Sequence, residues 1–203
     1  MILNCAEHPA DKLYLLMTQT VIPRPIAWVL SDNGNGSYNL APFSFFNVIT
    51  ADPPIIMISV GWKDATTHKD TWINIQESSD FVVHIPTETD AKSMVATSQT
   101  LPHGVSEVDK LGLGLEAVSD QRLPRVVGPK VAYFCEKYSI QEIGQSRQGL
   151  ILGKVNCMWF DDNIVQQHKG RLIIDPVKVN PLARLGGQGY SLLAEPFEIK
   201  RPQ

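Results

Sequence analysis

A lysine, an aspartate and a threonine, Lys69, Asp70 and Thr71, stand where the residue pattern predicts the start of a helix that runs to Ser78. In this prediction Asp70 is the N-cap. The free amides and the dipole of a helix N-terminus attract negative charge, and a lysine ammonium and a threonine hydroxyl add to that attraction. These residues therefore predict an anion site suited to a phosphate. The alternative is a solvated lysine beside an ordinary helix cap, and the spacing alone does not separate the two.

A second candidate site is the segment from Asn39 to Asn47, which mixes proline, aromatic and small polar residues. Pro42 has no amide donor and is expected to end regular strand pairing, which leaves backbone groups free to engage a flat heterocycle. Ser44 and Asn47 can exchange hydrogen bonds with ring carbonyls and nitrogens, and Asn47 needs a partner if it is buried. The aromatic residues of the segment are individually better explained as core: Phe43, Phe45 and Phe46.

Two further polar residues could contact a ligand. Ser59 ends an apolar stretch and could face either a phosphate or another strand. Arg24 lies between two prolines that fix its backbone, so its guanidinium could hold loop carbonyls or an anion.

The sequence lacks the motifs of metal sites, serine nucleophiles and Rossmann dinucleotide sites. The five histidines show neither HxxxH nor HExxH spacing, which argues against a dedicated metal site. There is no GxSxG motif for a serine nucleophile. No predicted strand is followed by GxGxxG, so the sequence excludes a Rossmann site for a dinucleotide.

Size and charge narrow the classes of protein further. The chain has 203 residues, most economically one domain spanning residues 1–203. Eighteen basic and 21 acidic residues give a net charge of −3, which argues against nucleic acid or an anionic membrane as the main partner. No apolar run approaches the ~20 residues of a membrane span, and no signal peptide is evident, so we expect a cytoplasmic protein. The three cysteines form no CxxC pair, and a disulfide framework is not expected.

Hydrophobic patterns predict the elements that position these residues. Pro9 to Met17 predicts a short helix that packs across one end of a barrel. Ile26 to Leu30 predicts a strand that enters a hairpin at the glycine-rich turn that follows it. The continuously apolar run from Ile55 to Val60 predicts a strand buried on both faces.

The remainder of the chain predicts a β-rich domain with peripheral helices. Asn180 to Tyr190 shows too little periodicity for a regular element. The other predicted elements are a strand at Phe81–Ile85, a capping box at Thr87 and Asp90 that opens a helix to about Thr97, a short helix at Ser106–Leu111, a long hairpin of Val131–Ile143 with Leu150–Phe160, and a helical or irregular piece at Val165–Leu172.

Most of the chain, in the right order, resembles the flavin reductase-like family, whose members bind FMN in a split β-barrel. The motifs that carry the resemblance are Pro23–Trp28, Asn39–Asn47, Lys69–Thr71, Asn74–Ile75, Phe81–Val83, Arg184–Gly187 and Tyr190. The resemblance implies a mostly β fold, a split barrel with Greek-key topology and peripheral α-helices. It also implies a homodimer with FMN near the subunit interface. The equivalent of the Gln99–Pro129 region often shapes the site in the family.

The resemblance assigns roles to the candidate residues. Lys69 to Thr71 stand where the family places its phosphate contacts, and Arg184 and Tyr190 are candidates for lining the nicotinamide side. A salt bridge and a packed ring explain these last two residues equally well. The expected cofactor-binding residues are Asn39, Ala41, Pro42, Phe43, Ser44, Phe46, Asn47, Ser59, Lys69, Asp70 and Thr71.

The function that the resemblance implies is transfer of hydride from NADH or NADPH to flavin, with reduced flavin passed to a partner oxygenase or used in place. Hydride transfer to a flavin asks for no acid or base from the protein, so no catalytic residue is predicted. A nicotinamide cofactor would bind transiently on the flavin, since a Rossmann motif is absent. Two alternatives stay open: an FMN carrier or storage module without efficient turnover, and a reductase of a ferric complex.

Overall fold

The structure, a computed structural model, describes residues 1–202. Its strands are β1 (Arg24–Pro25), β2 (Ala27–Asp32), β3 (Tyr38–Phe43), β4 (Phe46–Ala51), β5 (Pro54–Val60), β6 (Asp80–His84), β7 (Leu115–Glu116), β8 (Arg125–Val126), β9 (Val131–Ile143), β10 (Gln148–Phe160), β11 (Val165–His168), β12 (Arg171–Ile174), β13 (Ala183–Arg184) and β14 (Tyr190–Ser191). Its α-helices are α1 (Ala10–Thr20), α2 (Asp70–Ser78), α3 (Ala91–Ala96), α4 (Glu107–Leu111) and α5 (Pro176–Val179). Short 3-10 helices span Cys5–Glu7, Glu88–Asp90 and Asp162–Ile164.

Seven strands form one antiparallel sheet in the order β3-β2-β6-β9-β10-β5-β4. Hairpins join β2 to β3, β4 to β5 and β9 to β10, while β6 returns beside β2 and β10 beside β5, which gives a Greek-key path. The two edge strands, β3 and β4, are separated in the chain by Ser44 and Phe45 alone. The sheet must therefore curl until its edges meet, and the gap between them is the split of the barrel. The predicted mostly β split barrel is confirmed.

The barrel interior is filled by apolar side chains from all seven strands, and α2 closes it through the fully buried Ile75. A second apolar cluster covers the outer face of β2 and β6 and is completed by α3 and α4. Alternate residues of β2 point to opposite faces, so Val29 lies in the interior and Trp28 in the outer cluster. Strand β2 is thus buried on both faces, and β6 is too, since Phe81 and Val83 lie in the interior and Val82 in the outer cluster. The prediction for β5 was wrong in this respect, because Met57 and Ser59 are only half-buried.

The β2–β3 hairpin forms as predicted, with Gly34 and Gly36 at φ of +71° and +85° in its turn. However, Pro42 does not end the pairing, since it lies opposite Trp28 and the ladder continues to Phe43. An edge strand tolerates proline because the missing amide can lie on its unpaired side.

Four other local predictions were wrong. Helix α2 begins at Asp70 with Lys69 as its N-cap, one residue earlier than expected. Residues 165–172 belong to the β11–β12 hairpin and are not helical. The tail contains regular pairs, since β13 joins β1 and β14. The N-terminal helix runs to Thr20 and buries only Thr18, so most of its apolar side faces solvent.

The remaining predicted elements are present. The capping box of Thr87 and Asp90 opens the 3-10 turn before α3. Ser106 caps α4, and β9 and β10 form the long hairpin. Within residues 1–202 there is no helix with the length and apolar character that a bilayer crossing requires.

Candidate functional site

Two clefts adjoin each other beside the split of the barrel. The lysine cleft is lined by β3, by Lys63 and Lys69, by the first turn of α2 and by residues 97–101. The larger arginine cleft is lined by α1, Arg24, Ser44, Met94 and the turn that contains Arg184 and Tyr190. Both clefts are lined by Pro42, Phe43 and Ser98, so these residues form a ridge between them. A ligand lying over this ridge would contact both.

The lysine cleft places a cation beside free amides. Lys69 directly precedes α2, and its carbonyl accepts from the Trp72 and Ile73 amides, which leaves the N–H groups of Asp70 and Thr71 without an intrahelical acceptor. The Lys69 ammonium lies 5.6 Å from the centre of the Phe43 ring. Part of this side chain is exposed to solvent, but the protein atoms around the ammonium displace water from it, and this desolvation lowers its pKa. Within residues 1–202 Lys69 has no carboxylate within ion-pair distance, which leaves its charge available to an anion.

Buried polar contacts fix the first turns of α2 to the β2–β3 hairpin. Asn39 Nδ2 donates to Thr71 Oγ1 at 2.9 Å, and both side chains are buried. Asn74 Nδ2 donates to Ser31 Oγ at 3.1 Å and to Asn33 Oδ1 at 2.9 Å. Thr71 accepts from Asn39 and keeps its own hydroxyl proton to donate. The helix N-terminus is therefore held rigidly against β3.

Two acids and a second lysine complete the lysine cleft. Lys63 Nζ lies 3.8 Å from Asp70 Oδ1, which also contacts His103 Nδ1 at 3.1 Å. Glu107 is buried and its Oε2 accepts a hydrogen bond from the Leu40 amide at 3.0 Å. Burial raises the pKa of Glu107, and the Leu40 hydrogen bond opposes that rise. Asp70 is thus committed to Lys63 and His103, and Lys69 is the cation without a carboxylate partner.

An aromatic stack supports the loop that carries both lysines. The rings of Trp62 and His68 lie 4.0 Å apart, and His68 stacks on Trp72 of α2 at 4.9 Å with an interplanar angle of 10°. Trp62 and His68 also form a β-bridge that closes the loop between them. The loop is therefore anchored to α2, which restricts where Lys63 and Lys69 can reach.

In the arginine cleft Arg24 acts as a clamp. Its Nη1 donates to the carbonyls of Thr18 and Val21 at 2.6 and 2.7 Å, and its Nη2 donates to that of Leu185 at 3.0 Å. The expectation that Arg24 could hold loop carbonyls is confirmed. This clamp ties the end of α1 and the C-terminal turn to the barrel.

The structure brings ten of the thirteen residues predicted for cofactor or substrate to the two clefts. Those in the lysine cleft are Asn39, Ala41, Pro42, Phe43, Lys69, Asp70 and Thr71. Those in the arginine cleft are Ser44, Arg184 and Tyr190, together with the shared Pro42 and Phe43.

Three predicted residues, Phe46, Asn47 and Ser59, lie outside both clefts. Phe46 is buried in the barrel interior. Asn47 is exposed on β4, where its Oδ1 accepts from the Val48 amide at 2.8 Å, so the premise of a buried amide in need of a ligand does not hold. Ser59 lies on β5 opposite Leu150.

Sequence reasoning missed several lining residues, among them Lys63, Glu107, Met94 and Tyr14. Lys63 carried a usable signal, because it lies in the same short polar loop as Lys69. Glu107 and Met94 carried none, since their positions in α4 and α3 are explained equally well by capping and core packing.

Comparison with known proteins agrees with this architecture. The sequence model of the flavin reductase like domain matches residues 17–175. The structure is similar to nitrilotriacetate monooxygenase component B from Bacillus cereus, with a TM-score of 0.89, 31% identity and 98% of each chain covered. It is also similar to the 2-nitrobenzoate 2-nitroreductase NbaA from Pseudomonas fluorescens, with a TM-score of 0.88, 30% identity, and 100% of this chain and 96% of that one covered.

A protein from Shewanella frigidimarina with a split-barrel domain of flavin reductase type shares the fold at a TM-score of 0.83, with 17% identity and full coverage of both chains. The family match spans more than half of the sequence, and the strand arrangement agrees with these structures. The chain therefore belongs to the flavin reductase-like family of split-barrel flavoproteins.

Proposed function

We propose that this protein is an FMN-dependent oxidoreductase that takes hydride from NADH or NADPH and delivers reduced flavin or electrons to an acceptor. The observation that carries the proposal is the position of Lys69, a cation without a carboxylate partner in residues 1–202, beside the α2 N-terminus and the Phe43 ring. A phosphate and a flat ring joined by a short chain are what this arrangement fits. A bound flavin would supply the hydride chemistry.

The residues of the lysine cleft would hold FMN as follows. Lys69, the Thr71 hydroxyl and the α2 amides would bind the phosphate. The ring system would lie along the β3 segment that ends in Pro42 and Phe43, and Asn39 and Ser44 would offer polar atoms to it. The proposal gives no cofactor contact to Phe46, Asn47 or Ser59, since each lies outside both clefts.

The arginine cleft would then receive the nicotinamide, with Arg184 and Tyr190 on its outer side. These two residues already stack, with the Arg184 guanidinium 4.6 Å from the centre of the Tyr190 ring. Because the clefts share the Pro42–Phe43 ridge, a nicotinamide in one lies next to a flavin in the other. Binding and orientation are the protein's contribution, and no acid or base is required of it.

The partners proposed are a second copy of this chain and an oxygenase. Exposed apolar side chains of α1 and β4, including Met17 and Val48, offer a surface for a homodimer. The similarity to component B of a monooxygenase supports transfer of reduced flavin to an oxygenase. The similarity to a nitroreductase supports the other route, in which the flavin is used in place.

An absorbance experiment tests the proposal. We expect purified protein, as isolated or after addition of FMN and gel filtration, to show the visible absorption of an oxidised flavin. Anaerobic stopped-flow mixing with NADH and with NADPH should bleach this absorption rapidly. Protein that gains no flavin absorption would contradict the proposal, and bleaching by dithionite alone would support an FMN carrier instead.

A further inference from the structure

The arginine cleft carries an excess of positive charge that the described part of the chain does not neutralise. Arg24 and Arg184 both line it, and none of its lining residues is acidic. Within residues 1–202 neither arginine lies within ion-pair distance of a carboxylate. The neighbouring lysine cleft differs, because Asp70 and Glu107 accompany its lysines.

The two arginines differ in how many of their hydrogen-bond donors are occupied. Arg24 is buried, and its guanidinium is occupied by three backbone carbonyls and the Ser44 hydroxyl. Four of its five N–H groups are engaged in this way, so Arg24 contributes a fixed charge and at most one free hydrogen-bond donor. Burial lowers the pKa of Arg24, the nearby Tyr14 raises it, and the like charge of Arg184 lowers it further.

Arg184 offers the donors that Arg24 lacks. Among residues 1–202 its side chain donates only to the Gly187 carbonyl, so most of its five N–H groups have no protein acceptor. Its guanidinium lies over the Tyr190 ring, which fixes the plane of the fork. A guanidinium held in this way matches the two oxygens of a carboxylate.

The floor of the same cleft is apolar. Ile26, Met94 and Phe43 line it, with 2%, 1% and 7% of their surfaces exposed. A hydrated inorganic anion would make no favourable contact with such a floor. A planar hydrocarbon ring with an anionic group at its edge could pack on the floor and place the anionic group on Arg184.

We propose that the arginine cleft binds planar aromatic carboxylates, with the ring over Phe43 and Met94 and the carboxylate on Arg184. The inference rests on the proposed function, since it names the ligand class of the acceptor side of that site. The carboxylate serves for recognition by Arg184, and no chemical step at the carboxylate is proposed. Such a ligand would compete with the nicotinamide for the cleft.

Calorimetric titration of the FMN-loaded protein with benzoate and with its neutral analogue benzamide tests this inference. We expect benzoate to bind about 10- to 100-fold more tightly than benzamide, because only the carboxylate forms charge-assisted hydrogen bonds. Added salt should weaken benzoate binding and leave benzamide binding nearly unchanged. Equal affinities, or no benzoate binding, would overturn the proposal.

Substitutions locate the effect. Arg184→Gln should abolish the preference for benzoate, and Arg184→Lys should restore part of it, because lysine keeps the charge without the fork. Arg171→Gln, which changes an exposed arginine on β12 outside both clefts, is the matched control and should keep the full preference. A preference that survives Arg184→Gln, or that is lost equally in Arg171→Gln, would refute the assignment.

The experiment also separates this inference from the proposed function. FMN binding is read from the visible absorption of the flavin, and benzoate binding from heat. Protein that fails to bind FMN contradicts the proposed function, and titration of that flavin-free protein with the same pair of ligands still decides whether Arg184 selects carboxylates. Protein that binds FMN without discriminating benzoate from benzamide overturns only the inference.

Discussion

The ammonium of Lys69 lies 5.6 Å from the centre of the Phe43 ring. This contact joins the two stretches that the sequence singles out, one for phosphate chemistry and one for a flat ring. Because they meet on the same side of the barrel, beside the split between β3 and β4, a single nucleotide can touch both. If the stretches of Lys69 and Phe43 had lain on opposite faces of the barrel, one nucleotide could not have contacted both.

Loss of the Lys69 charge should affect FMN and riboflavin differently. We expect Lys69→Ala to weaken FMN binding by about 10-fold, since a charge-assisted contact at a partly exposed site contributes roughly 1.5 kcal/mol. Riboflavin has no phosphate and should bind as before. Fluorescence titration with both flavins measures the effect, with the exposed Lys92→Ala on α3 as control. An equal loss of affinity for FMN and riboflavin would contradict the assignment of the phosphate to Lys69.

Gly149 makes room for α2, the helix whose N-terminus forms the proposed phosphate site. A Cβ added there would lie 2.5 Å from Trp72 Cζ3 and 3.0 Å from the Val60 carbonyl oxygen, so Trp72 and with it α2 would have to move. We expect Gly149→Ala to lower the free energy of unfolding by about 1 to 3 kcal/mol and to weaken FMN binding.

Gly61→Ala is the matched control for Gly149, because its added Cβ would meet only the Gln148 side chain at 3.7 and 3.8 Å. Chemical unfolding of both variants gives the comparison. Equal stability of the two alanine variants would show that the Trp72 contact does not restrain α2.

The Thr97 hydroxyl anchors the segment that lines the lysine cleft. Trp28 Nε1 donates to it at 2.9 Å, and it donates to the Met94 carbonyl at 2.7 Å, all in a buried setting. Thr97→Val should destabilise the protein by about 1 to 3 kcal/mol, because it leaves the indole N–H unsatisfied. Thr97→Ser keeps the hydroxyl and should recover most of this loss. The prediction fails if the serine and valine variants unfold at the same denaturant concentration.

His84 should make stability fall in mild acid. Its Nε2 accepts from the Val126 amide at 2.9 Å and its Nδ1 lies 3.0 Å from the Trp28 carbonyl, and burial lowers its pKa to about 4. The unfolded chain, with a histidine pKa near 6.5, then takes up a proton that the folded chain refuses. The stability conferred by neutral His84 is complete above pH 6.5 and is lost as the pH falls toward 4, by about 3 kcal/mol in total.

Urea unfolding between pH 7 and pH 4.5 measures the effect of His84. The variant His84→Gln should lose stability at neutral pH and show a flatter dependence across this window. The control His168→Gln, at an exposed position, should keep the slope of the original protein. A His84→Gln variant with an unchanged slope would assign the acid sensitivity to other groups.

The sequence alone determined the elements whose signals are local. The β9–β10 hairpin follows from two long apolar stretches around a glycine-rich turn, and the capping box of Thr87 and Asp90 follows from one spacing. The position of Lys69 at the start of α2 was also visible, because a lysine before a helix start is a local feature. Each of these depends on residues that are neighbours in the chain.

Only the tertiary structure decided what the clefts contain. Arg184 reaches the cleft of Phe43 from 141 positions further along the chain, through pairing of β13 with the two-residue strand β1, which is too short to leave a periodic signal. Pro42 remains paired because β3 is an edge, and Asn47 faces solvent because its neighbour Phe46 fills the barrel. The physical reason is that local pattern sets which residues form a strand, whereas closure of the sheet sets which edge, face and distant partner each residue receives.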